Sequence, residues 1–289
     1  LFMLTAVTVT IFIIIREMDW SLGEAISNIQ ESEMSKIFYW DWGSARFFPK
    51  QFISGALIAI VMTGLDQDMM QKNLTCRNLK EAQKNIFGFS VVLIFANLLF
   101  LGMGALLFIY AESKGIEIPA RTDTLYPLLA LNHLGTFAGV VFLLGIIAAA
   151  YSSADSALTA LTTAFCVDFL NFEKKEEAEK KKTRLKVHIG FSVLLFLVIL
   201  VFNAINDDSV INSIFKAAGY TYGPLLGLFS FGLLTKRSVM DKYVLPVCLA
   251  APILSYFIDL ASGSWFGFFI LALNGALTFI GLFLISKKG

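Results

Sequence analysis

From Leu134 to Phe169 the chain passes through a long apolar stretch whose charged residues are Asp155 and Asp168. Crossing a hydrocarbon core of about 30 Å takes about 20 apolar residues, and in lipid each segment must satisfy its own backbone hydrogen bonds, so a run this long predicts a transmembrane helix. Seven further segments meet or approach that length: Leu1 to Ile15, Phe52 to Leu65, Ile86 to Tyr110, Val187 to Phe202, Val210 to Leu234, Tyr243 to Leu260 and Trp265 to Ile285. With 57% hydrophobic and 16% charged residues, the composition is that of an all-α polytopic membrane protein and not of a water-soluble domain. The chain opens at Leu1 inside an apolar run with no charged leader before it, which reads as a cut first helix and a piece of a longer protein.

The basic residues set an orientation. One family of loops carries Lys72, Arg77, Lys80 and Lys84, then Lys174 to Lys186, then Lys236, Arg237 and Lys242, and finally Lys287 and Lys288. The opposite family carries Arg16, Lys36, Arg46, Lys50, Lys114 and Arg121. Across eight spans these alternate, so the richer set is expected in the cytoplasm together with the C-terminus, and the protein in the inner cell membrane. A net charge of +1 offers no field for nucleic acid. Cys76, Cys166 and Cys248 have no paired spacing, and His133 and His188, placed at helix entrances, form no metal or catalytic constellation. No nucleophile and base pair or phosphate-cradling glycine loop is present, so neither an enzyme nor an organic cofactor is expected. The outer segment Glu17 to Lys50, with Trp20, Tyr39, Trp40 and Trp42, suits an interfacial belt or a short external helix. Glu173 to Lys182 suits either a solubilising turn or a short helix reaching into the cytoplasm.

Three constellations carry chemical meaning. Within Gly145 to Phe169, Ser152, Ser156, Thr159 and Thr163 recur at spacings of four, three and four and share a helix face, with Asp155 beside them. A carboxylate at membrane depth costs roughly 2.5 to 3.5 kcal/mol and is kept where it lines a wet or ion-bearing path. The hydroxyls of Ser152 and Ser153, with the Ala149 carbonyl one turn earlier, are hard oxygen ligands suited to an alkali cation. The alternative is that the small residues let helices approach and the hydroxyls bond back to their own helix. The second constellation, Thr63 to Gln71, places Gly64, Asp66, Gln67 and Asp68 where a span breaks off at membrane depth, a pattern that either binds a polar solute or opens a helix into a loop. In the third, Phe215 to Phe229, Lys216 either snorkels to the interface or faces a solute, and Gly219, Gly223 and Pro224 thin and bend the helix to make room for a moving neighbour.

Three stretches in this order, TGLDQDMMQKNL with the following KEAQK, AAAYSSADSALTALTTAFCVDF and YGPLLGLFSFGLLTKR, resemble the sodium/solute symporter family, whose members carry glucose, proline, iodide, sialic acid, inositol and vitamins. The resemblance implies a LeuT-type core of two inverted five-helix repeats. Residues 1–16 would be the end of core helix five, 17–51 an external loop, 52–234 the second repeat with core helices six to ten, and 235–289 two additional helices. It also implies sodium as the coupling ion, held by Ala149, Ser152 and Ser153 against carbonyls of core helix one. A second cation site would fall at Ser152, Asp155 and Ser156, where Asp155 replaces a frequent hydroxyl. Solute contacts would fall at Asp66, Gln67, Asp68 and Lys216. The aromatic gate of sugar-carrying relatives is Asp68 here and their core-helix-seven lysine aligns near Leu93, which speaks against a sugar, while Lys216 near the solute cavity would favour a carboxylate-bearing solute such as an organic acid or acidic sugar. The function implied is sodium-coupled uptake of a small polar solute, with a proton-coupled carrier using Asp155 and a transporter-like solute sensor as alternatives. The partners implied are the solute and membrane lipid; an oligomeric state is not implied.

Overall fold

The computed structural model describes residues 2–44, 46–170, 176–205 and 210–287. Lys174, Lys175 and Lys288 of the basic loops, and Glu173 at the head of the charged run, lie outside these. Among the described residues the chain is all-α apart from two short strands. The helices are α1 (Phe2–Glu17), α2 (Leu22–Glu31), α3 (Phe48–Gly64), α4 (Gln67–Leu74), α5 (Leu79–Ser113), α6 (Leu125–Asn132), α7 (Gly135–Phe169), α8 (Glu177–Ile205), α9 (Val210–Leu234), α10 (Val244–Ala261) and α11 (Ile270–Ile285).

Among the described residues five membrane-length apolar helices are present, built on α5, α7, α8, α10 and α11, and a sixth span arises if α3 and α4, bent by 56°, are taken together. The sequence suggested eight. The difference lies in α1 and α9. The described part of α1 has 16 residues, roughly 24 Å at 1.5 Å per residue, which is shorter than a hydrocarbon core. In α9, Asn212, Ser213, Lys216 and four hydroxyl-bearing or tyrosine side chains further along dilute the apolar run.

The contacts divide the chain into two compact units, one of residues Leu1–Lys36 with Gln71–Ser209, the other of Ile37–Met70 with Val210–Gly289. The first holds an apolar core in which Val7 and Ile14 of α1, Leu106, Leu107 and Tyr110 of α5, and Leu125 and Leu129 of α6 pack together. The hydroxyl of Tyr110 donates to Glu17 at one edge of that core. The outer helix α2 is started by a capping box: Ser21 Oγ accepts from the Glu24 N–H at 3.2 Å and the Ser21 N–H donates to Glu24 Oε2 at 2.6 Å. The Ser21 N–H first, and the Ser21 hydroxyl second, hold the exposed Glu24 carboxyl below its ordinary range. The charged stretch after Glu176 is neither a turn nor a separate helix. It forms the first turns of α8, with Lys180 donating to Glu177 at 2.8 Å.

In the second unit α9 lies against α11 along a seam of glycines four residues apart. A Cβ at Gly219 would sit 2.4 Å from Ile270, at Gly223 2.2 Å from Asn274, and at Gly227 2.5 Å from Thr278. These glycines therefore bring two backbones together, and the helix face thinned at Gly219 and Gly223 is occupied by α11. Pro224 within α9 has no N–H for the Tyr220 carbonyl. Asn274 of α11 supplies it, Nδ2 donating to Tyr220 O at 2.9 Å and to Gly219 O at 3.2 Å. The far ends of both helices are tied by strands β1 (Ser238–Val239) and β2 (Ser286–Lys287), antiparallel, and by Arg237 Nε donating to Ser286 Oγ at 2.7 Å.

Candidate functional site

Helix α7 is unbroken from Gly135 to Phe169, so the spacing of its polar residues translates directly into faces. Its first half is anchored. Phe142 is buried edge-on against Tyr126, whose hydroxyl lies 2.9 Å from Thr10 Oγ1 of α1. Burial pushes the Tyr126 phenol up, with the Thr10 contact working weakly the other way. At Gly145, α1 crosses so closely that a Cβ would meet Met3 Sδ at 3.1 Å and Ala6 Cβ at 3.3 Å. The second half packs on α8, where Thr162 meets His188 and Phe165 stands edge-on to Phe191.

Between Gly145 and Ala160 no α7 residue is buried. That uncovered middle holds Ala149, Ser152, Ser153 and Asp155, all exposed, and Ser156, half-buried. Four serines elsewhere in the helices spend their hydroxyls on the carbonyl four residues back, Ser54 on Lys50 at 2.6 Å, Ser90 on Ile86 at 2.9 Å, Ser192 on His188 at 2.8 Å and Ser255 on Ala251 at 2.8 Å, whereas Ser27 and Ser230 do not. Among the described residues Ser152, Ser153 and Ser156 make no side-chain hydrogen bond. The Ala149 carbonyl takes the Ser153 N–H in a regular helix and keeps a second lone pair. The stretch is thus a row of hard oxygen donors with coordination capacity left over.

The second constellation folds as a helix break. Asp66 stands between α3 and α4 and caps the latter, Oδ1 accepting from the Asp68 and Met69 N–H groups at 3.0 and 3.1 Å. Its other oxygen accepts from the Tyr222 hydroxyl of α9 at 3.4 Å. Asp66 and Asp68 are half-buried and Gln67 is exposed. Lys216 is exposed near the start of α9. The structure therefore joins Asp66 to α9 through Tyr222, not through Lys216. Tyr222 lies two residues before Pro224, in the same constellation where Lys216 drew attention first.

Two further polar residues escaped the sequence reading. Lys50, counted as an outer-loop cation, is 5% exposed; its Nζ donates to the Trp265 carbonyl at 2.6 Å and lies 4.4 Å from that indole. Asn274 is fully buried in the most apolar of the helices. An intramembrane amide among leucines is itself a signal. Of the histidines, His133 ends α6, whereas His188 lies well inside α8, with Nδ1 3.3 Å from Thr162 Oγ1. Among the described residues no cluster of three or more histidine, cysteine or acidic side chains could hold a metal.

A family model for the sodium:solute symporter family matches residues 1–241. The chain is 23% identical over 248 residues to the sodium/sialic acid symporter SiaT of Proteus mirabilis (strain HI4320), covering 83% of this chain and 49% of that protein. It is 22% identical over 253 residues to the sodium/sialic acid symporter NanT of Aliivibrio fischeri (strain ATCC 700601 / ES114), covering 85% of this chain and 50% of that protein. The chain thus spans about half the length of these curated relatives. No solved structure matches it.

Proposed function

The chain belongs to the sodium:solute symporter family, a family of transporters and not of enzymes, and from that premise we propose that the whole protein is an inner-membrane, sodium-coupled symporter for a small carboxylate-bearing solute. It is a multi-pass membrane protein, and its C-terminus is assigned to the cytoplasm on the distribution of lysines and arginines. One observation carries the ion assignment: the hydroxyls of Ser152, Ser153 and Ser156 lie together, uncommitted, on the uncovered middle of α7, while Ser54, Ser90, Ser192 and Ser255 are bonded to their own helix backbone.

On this reading Na+ is held by the Ala149 carbonyl and the Ser152 and Ser153 hydroxyls, with the remaining ligands from core helix one of the preceding repeat. A second cation sits at Ser152, Asp155 and Ser156, where the carboxylate offsets part of the cost of stripping the ion of water. Moving each charge inward releases about 2.3 kcal/mol per 100 mV, and the ion couples to the solute because it binds one state of the carrier better than the other. Asp66, Gln67 and Asp68 at the helix break, with Lys216, are assigned to the solute path; capping and the Tyr222 contact fix Asp66 in place, which leaves Gln67 and Lys216 as the adaptable contacts. The division into 1–16, 17–51, 52–234 and 235–289 follows the same assignment. An acid is the favoured solute class because Lys216 offers a cation and both named relatives are symporters of an acid.

Counterflow in liposomes containing the whole protein tests this. Labelled sialic acid or a related sugar acid is expected to exchange in sodium and not in potassium, and a neutral sugar in neither. Exchange independent of sodium but driven by a proton gradient would replace the ion assignment with proton coupling through Asp155. Asp155→Asn is expected to lower the Hill slope of sodium activation; an unchanged slope removes the second cation site.

A further inference from the structure

Below the uncovered stretch, α7 and α8 enclose a cleft of about 350 Å³. Helix α7 lines it with Thr159, Thr162 and Thr163, and α8 with Lys181, Arg184 and His188. Each set follows helical spacing, so one face of each helix is devoted to the cleft. No acidic side chain lines it, and among the described residues Lys181 and Arg184 have no ion-pair partner. Thr162, 3% exposed, and half-buried His188 meet at 3.3 Å and close the inner end. The wall is therefore two unneutralised cations at the mouth and hydroxyl and imidazole groups at depth, a donor set for an anion. Further along α8 the cleft gives way to two shallow apolar hollows, one beside Phe165, Gly190, Phe191 and Leu194, the next at Leu197, Val198, Val201 and Phe202. A charged, hydroxyl-lined head followed by an apolar track on one helix matches a molecule built the same way.

We propose that this cleft binds the phosphate headgroup of an anionic phospholipid, with its acyl chains lying along α8. Arg184 and Lys181 take the phosphate oxygens, the guanidinium by a paired fork, and Thr163 and Thr159 reach the ester oxygens. The placement, a basic cleft between two membrane helices at the end bearing the lysine-rich loop, is where anionic leaflets concentrate such lipids. The proposal stands independently of which solute the protein carries.

The test uses the full chain in mild detergent, with native mass spectrometry to read retained phosphatidylglycerol against phosphatidylcholine and with inorganic phosphate as competitor. Wild type is expected to retain phosphatidylglycerol preferentially and to keep it in millimolar phosphate. Lys181→Gln with Arg184→Gln should weaken retention roughly thirtyfold, and Thr163→Val by a smaller factor. Lys236→Gln with Lys242→Gln, which removes the same charge elsewhere, should leave retention unchanged. Because Lys181 and Arg184 are exposed, the lipid-free melting temperature should not move. Equal retention of both lipids, or undiminished retention in the Lys181/Arg184 variant, overturns the proposal. Displacement by low millimolar phosphate also overturns the lipid assignment, leaving a free-anion site.

Discussion

The middle of α7 and the seam between α9 and α11 both place polar groups inside apolar helices, and they use them in opposite ways. Along the seam every group but one is spent within the protein: Asn274 Nδ2 serves two carbonyls, Thr278 donates to Asn274 O at 2.9 Å, and the glycines let the helices touch; Asn274 Oδ1 is left over. In α7 the hydroxyls are held in reserve on an uncovered face. Polar residues in lipid are costly in either case. Where neighbours consume their bonding capacity they serve the fold, and where capacity is left over they are available to a ligand.

The sharpest way to break this comparison is to crowd the seam. Gly223→Ala puts a Cβ 2.2 to 2.5 Å from Asn274, and should cost about 3 kcal/mol, read as a fall in the unfolding midpoint in detergent. Next comes a cycle at the proline. Asn274→Ala strips the Tyr220 carbonyl of its donor and should cost about 1 to 2 kcal/mol. Pro224→Ala restores an intrahelical N–H, so the Asn274→Ala penalty should shrink in that background; an equal penalty would mean that the amide acts by packing alone. Asp66→Ala removes the cap of α4 and should cost about 1 kcal/mol. Tyr222→Phe, losing a bond of 3.4 Å, should cost no more than about 0.5 kcal/mol.

How far this contrast was legible from the chain alone differs between its halves. The α7 stripe was legible because helical spacing over one element fixes which residues share a face, and the break after Gly64 was legible because apolarity stops there. The seam was not. Gly219 and Gly223 announce a thinned helix, but their partner lies some fifty residues on, and nothing local sets the register that brings Asn274 opposite the carbonyl freed by Pro224. Lys50 was misplaced for the same reason: a lysine at a helix start looks solvated until Trp265 arrives from a distant element. The first turns of α8 were ambiguous because glutamates and lysines at spacings of three and four suit a helix or a turn equally well.

The central claim is that the free hydroxyls of α7 are ligands and not packing. The most direct measurement is the sodium activation curve of solute uptake by the whole protein carrying Ser152→Ala or Ser153→Ala, alongside its unfolding midpoint. The account predicts a half-saturating sodium concentration raised roughly tenfold or more with the midpoint unchanged. An unchanged sodium requirement, or a lowered midpoint with normal sodium dependence, would contradict it.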